Sequence, residues 1–195
     1  MPKSQFREED TYLDIGTRFV KSITGLHPDW DVAFSNNKFL PQMIQEIEEK
    51  LGGKTDYNGL FQPNLKLDIL LGIKKKSNDS HISLVLLEVK VEQLTLNHHA
   101  QLLGYLVAAP MIKCGILLSS NVGRFKGAFF SSEYESLLNM NAVPMAFSID
   151  ANGATGSFRT GVAFGQYRGM IEWRNLQAVG SITGFPSLCD YIEEI

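Results

Sequence analysis

The chain has 195 residues, with 18 Lys+Arg against 21 Asp+Glu and a formal net charge of -3. That length suits one domain, 1–195, with a core that needs no staples. Hydrophobic residues at 44% and charged residues at 20% exclude a disordered chain, and the mild acidity argues against a histone-like, purely electrostatic nucleic-acid binder.

Cys114 and Cys189 lie far apart in no metal spacing, which excludes a disulfide framework and a cysteine-held zinc. No apolar run approaches the ~18 residues of a spanning helix. The opening MPKSQFREED has no apolar stretch, so no secretory leader and no membrane partner are expected, and the expected location is cytoplasmic.

In chain order, Tyr12, Ile15, Phe19 and Ile23 recur at helical spacing and predict a helix over 7–24. HPDW at 27–30 predicts a turn, and 30–34 a short strand. Leu40, Met43, Ile44, Ile47 and Leu51 put one apolar face on a helix over 38–51, capped by Asn36 or Asn37 and ended by Gly52-Gly53. Strands are expected at 65–73 and 81–91, joined by a polar turn at 74–80. The unbroken run Leu84 to Leu87 marks a central strand covered on both faces. A helix over 92–109 and a strand over 115–119 complete a right-handed parallel crossover. Further on, 133–140 and 186–195 suggest helices, and 143–149 and 161–173 suggest strands. Asn152-Gly153 is a hairpin signal, and FGQYRG at 164–169 lacks phosphate-loop spacing.

Chemistry concentrates between Leu65 and Tyr105. Asp68 stands inside an apolar strand, where an aspartate is disfavoured and needs a reason. Glu88 and Lys90, two apart on the next strand, share a face, while Val89 points into the core. If the two strands form a hairpin, Asp68 comes beside Glu88. Two carboxylates at one spot repel unless something positive lies between them. A magnesium ion, held by one or two carboxylates, waters and substrate phosphates, meets that need, and manganese is a substitute. The Val89 carbonyl is a further oxygen donor. Lys90 is placed to orient a water or to stabilise charge developing on a phosphorus centre.

This arrangement resembles the PD-(D/E)XK nuclease superfamily, in which an Asp on one strand and an acid-x-Lys on the next serve magnesium-dependent hydrolysis of DNA. The resemblance spans roughly 38–120 and maps onto Asp68, Glu88 and Lys90. Leu67 stands where the family name has proline. Gln101 and Tyr105, sharing one helical face, resemble the Q-x-x-x-Y feature of the RecB-type branch, although that branch's histidine before the first acid has no counterpart here. The resemblance implies an α/β restriction-endonuclease-like core: a central mixed sheet flanked by helices. Residues 121–195, outside it, are expected to form a β-rich C-terminal part serving specificity or dimerisation. The resemblance also implies a glutamate on an earlier helix. Glu48 is preferred on helical geometry and Glu46 comes second, with an acid in residues 8–10 if the N-terminal helix packs beside the site.

Each of these residues also has a plain structural reading. The glutamates of 38–51 can be a solvated helix face. Glu88 and Lys90 can be a surface ion pair, Tyr105 core, and His98 and His99 a polar helix face. Lys74, Lys75 and Lys76 suit a solvated turn better than a phosphate contact, because the turn lies away from Glu88. Arg124 and Lys126 are better DNA-contact candidates, since they follow a strand parallel to that of Glu88.

The expectation is a magnesium-dependent deoxyribonuclease, a restriction-type or defence or repair endonuclease. Its partner is DNA, and a homodimer would suit double-strand cleavage. The rivals are a silent DNA-binding or assembly module of the same fold, an exonuclease, and an RNA or junction nuclease.

Overall fold

The computed structural model describes residues 7–57, 64–77, 80–91, 95–119, 146–148 and 161–166. After a single 3-10 turn at Glu8–Thr11 come α1 (Tyr12–Leu26), β1 (Trp30–Phe39), α2 (Leu40–Leu51), β2 (Lys66–Lys75), β3 (Ser83–Lys90), α3 (Leu96–Ala108), β4 (Ile112–Ser119), β5 (Ala146–Ser148) and β6 (Gly161–Gln166). The expected α/β class with a central mixed sheet is what the described residues form. The expected helices at 133–140 and 186–195 lie outside them. No described helix is long and apolar enough to cross a membrane.

One six-stranded sheet runs in the order β1-β2-β3-β4-β6-β5. β2 pairs antiparallel with β1 and β3, with Ile69 opposite Leu87 and Ile73 opposite Ser83. β4 lies parallel to β3, so the expected hairpin and the crossover through α3 are both present. β6 runs parallel to β4, and β5 parallel to β6.

Alternation then sorts the strand side chains into two layers. Ile69, Leu71, Val85, Leu87, Ile116 and Leu118 pack with Tyr12, Ile15, Phe19 and Ile23 of α1. Leu70, Leu84, Leu86 and Leu117 pack on the other face with α2 and with Leu102 and Leu106 of α3. The run Leu84–Leu87 is fully buried because both faces of β3 are covered. Each such side chain contributes roughly 1.5–3 kcal/mol on burial. α2 approaches β2 so closely that a Cβ at Gly72 would overlap the Ile47 side chain.

Two local expectations are corrected. β1 runs to Phe39 rather than to 34, because its polar second half, Ser35 to Phe39, is paired along β2. α2 follows it with no linker: Phe39 is the extended N-cap, Pro41 sits in the first turn, and neither Asn36 nor Asn37 caps the helix. The Leu40 amide instead donates to the Leu65 carbonyl at 2.8 Å. The other end is as expected, since Gly52 takes the left-handed conformation at φ 61° that terminates the helix.

Candidate active site

The registered pairs of β2 and β3 end at Ile69 and Leu87, so Asp68 and Glu88 face each other one step beyond the last rung. On its other side Asp68 is also off the ladder. The β1–β2 pairs skip Asn37 and Asp68, and Asn37 there has a positive φ of 51°. The irregularity shows in the packing. Leu67 joins Leu70 in the α2–α3 layer, although residues 67 and 69 would share a face in a regular strand. Asp68 is thereby turned toward α1.

The Asp68 carboxylate accepts two hydrogen bonds. Tyr12 Oη donates to Oδ1 at 2.7 Å, and the Val89 amide donates to Oδ2 at 2.8 Å. Lys90 Nζ donates to Glu88 Oε1 at 2.7 Å, and lies 3.9 Å from Asp68 Oδ2 and 3.7 Å from Glu8 Oε1. Glu8 closes the group from the N-terminal turn. Its Oε1 is 3.2 Å from Tyr12 Oη, and its Oε2 accepts the Val91 amide at 3.3 Å. Among the described residues, three carboxylates thus surround one ammonium, an excess of two negative charges when all are ionised.

Glu88 is 1% exposed. Burial, then the neighbouring Asp68 charge, pushes its carboxyl up to about 7 against the attraction of Lys90. Its Oε2 is buried with no hydrogen-bond partner; among the described residues only the Tyr57 hydroxyl shares that condition. For Lys90, burial works against the charge, but Glu88, Asp68 and Glu8 outweigh it, so the ammonium is held above its usual range. Burial, then the Asp68 bond, raises the Tyr12 phenol, which stays protonated and remains a donor.

Among the described residues, no three His, Cys, Asp or Glu side chains form a ready metal cage. A magnesium ion asks for less, because one or two carboxylates and waters suffice. The donor set fits that requirement: Asp68 beside Glu88, an orphaned buried oxygen on Glu88, and an excess of carboxylates over cations among the described residues. Orphaned buried oxygens are costly, and a cation relieves the cost.

The preferred earlier-helix glutamate has other partners in the structure. Glu48 holds the segment after α2: Oε1 accepts the Thr55 amide at 2.8 Å and the Thr55 hydroxyl at 3.0 Å, and Oε2 pairs with Lys54 at 2.9 Å. Burial raises its carboxyl, but these donors win and hold it below its ordinary value. Glu46 accepts from Ser35 Oγ at 2.7 Å and pairs with Lys38, whose bond is the chief cause of its lowered carboxyl. The carboxylate that does reach Lys90, and that shares the Tyr12 hydroxyl with Asp68, is Glu8, within the alternative range 8–10.

Gln101 Nε2 donates to Tyr105 Oη at 2.8 Å along α3, as their spacing implies. His98 Nδ1 accepts the Thr95 amide at 3.2 Å at the start of that helix. Lys74, Lys75 and Lys76 lie at the far end of the hairpin, where Lys76 donates to the Pro28 carbonyl at 2.7 Å and Lys75 lies over the Trp30 ring. Arg124 and Lys126 lie outside the described residues. From its helical spacing alone Tyr12 is a core residue. The signal for more was the Glu8–Tyr12 spacing of four, which puts an acid and a phenol on one helical flank.

No family model, curated protein or solved structure matches the chain.

Proposed function

We propose that the chain is a magnesium-dependent deoxyribonuclease with a restriction-endonuclease-like core. The observation that carries this reading is the buried, partnerless Oε2 of Glu88 beside Asp68 and Lys90. Asp68, Glu88 and the Val89 carbonyl would hold the ion. Bound there, magnesium or manganese would supply Lewis acidity toward a phosphodiester and lower the pKa of a bound water.

The chain's own residues do the rest. Lys90, held as an ammonium, donates to the water or to a phosphoryl oxygen as negative charge grows, and does not act as a base. Tyr12 and the Val89 amide hold Asp68. Glu8 supplies the further acid on the N-terminal side. Gln101 and Tyr105 support the DNA backbone from α3. Lys90 is level with Ser119 across the parallel β3–β4 pair, so β4 ends at the edge of the sheet that carries Lys90; Arg124 and Lys126 follow β4 in sequence and are the proposed phosphate contacts. A restriction-type or defence or repair endonuclease, homodimeric when it cuts both strands, fits this reading.

Plasmid and linear DNA, incubated with magnesium or manganese, test it. Wild type is expected to cut, and Asp68→Ala and Lys90→Ala to fall to background while staying folded. Plasmid linearisation marks an endonuclease, and erosion of linear DNA alone marks an exonuclease. RNA and junction substrates separate the remaining nuclease readings. A wild type that binds DNA with magnesium and cleaves no substrate is a silent module of the same fold. Variants that cut as well as wild type remove this constellation from the chemistry.

A further inference from the structure

We propose that Tyr12 is a positioning residue for Asp68, whose hydroxyl fixes the carboxylate in the orientation that magnesium binding requires. This rests on the magnesium reading above and extends it to a residue on α1.

Three observations converge on it. First, Asp68 is off the backbone ladder on both sides: the β1 pairs skip it opposite Asn37, and the β3 pairs stop at Ile69. A strand residue held by regular rungs has its side-chain direction set by the pleat. Here the rungs do not set it.

Second, two hydrogen bonds do set it, one on each oxygen: Tyr12 Oη to Oδ1 at 2.7 Å and the Val89 amide to Oδ2 at 2.8 Å. The amide alone leaves the carboxylate free to rotate about that contact. The phenol, fifty-six residues away in sequence, fixes the second oxygen.

Third, the phenol itself is anchored. Tyr12 is 4% exposed and packs in the α1 layer with Ile15, Phe19, Leu87 and Val89. It has one proton and two acceptors in reach, Asp68 Oδ1 at 2.7 Å and Glu8 Oε1 at 3.2 Å. The shorter contact takes the proton, and Glu8 is the weaker partner. Donors behind a ligand carboxylate orient it, and losing one typically costs 10–100-fold in metal affinity.

The test is calorimetric titration of the full chain with magnesium chloride and with manganese chloride, without DNA. Tyr12→Phe keeps the ring and deletes one oxygen. It is expected to keep the circular dichroism of wild type and to bind magnesium roughly tenfold or more weakly. Phe19→Leu, two turns further along the same packed face, is the structural control: its melting temperature is expected to fall while its magnesium affinity stays within twofold of wild type. The proposal is overturned if Tyr12→Phe binds magnesium like wild type, or if Phe19→Leu loses as much affinity as Tyr12→Phe. If wild type binds neither ion, the magnesium reading itself fails and takes this one with it.

Discussion

Glu88→Gln probes the centre without any substrate. The substitution keeps the shape and the acceptor toward Lys90, and removes the titrating charge. In the folded chain the Glu88 carboxyl is pushed to about 7 from an ordinary 4.5, first by burial and then by Asp68. At 1.36 kcal/mol per unit, ionised Glu88 opposes folding by about 3 kcal/mol above neutral pH. Between 4.5 and about 7 the folded state binds more protons than the unfolded state. The Glu88 contribution is therefore whole below the lower value and lost as the pH rises through the upper one.

Glutamine removes that slope. In EDTA the variant is expected to match wild type near pH 4.5 and to be more stable near pH 8 by about 3 kcal/mol. For a domain of this size that is a rise in Tm of roughly 6–12 °C. Thermal melts across pH read it directly. Magnesium added at pH 8 is expected to raise the wild-type Tm and leave the variant unmoved, because the ion repays the buried charge only where the charge exists. A Tm difference that does not change between pH 5 and 8, or a variant less stable than wild type at pH 8, refutes the reasoning, since the carboxylate would then not be desolvated in solution.

Gly72→Ala forces a Cβ against Ile47 and is expected to cost roughly 1–3 kcal/mol by overpacking, read as a lower urea midpoint; an unchanged midpoint shows that α2 sits further from β2 than described. Glu48→Gln is expected to leave DNA cleavage at the wild-type level and to speed hydrogen exchange at the Thr55 amide, which Glu48 now accepts; a folded variant that no longer cleaves would return Glu48 to the site. Cys114 is fully buried and burial raises its thiol, so in a Cys189→Ser background it is expected to resist alkylation until the chain unfolds; labelling of the native protein contradicts the two-layer packing.

The strong periodic signals were legible because periodicity reports burial on one face of one element. Tyr12, Ile15, Phe19 and Ile23 marked α1, the run Leu84–Leu87 marked the central strand, and Gly52 marked the end of α2. Asp68, Glu88 and Lys90 were found together because a hairpin register is short-range: once two strands pair antiparallel, opposite positions follow by counting. β1 was underestimated because the pairing of its polar half is supplied by β2, which its own composition cannot show.

Sequence alone determined the apolar faces, the strand–helix–strand order and the acid-x-Lys pair. Tertiary structure decided which remote polar groups meet. Glu48 has helical geometry as good as any, but the chain after α2 returns to it, and Thr55 takes one of its oxygens and Lys54 the other. Tyr12 reaches Asp68, and Glu8 reaches Lys90, only because α1 packs on one face of the sheet with the turn before it at the end of β3. The physical reason is range: hydrophobic periodicity is local and repeats, so one-dimensional pattern preserves it, whereas a hydrogen bond across 56 residues depends on where two packed elements cross.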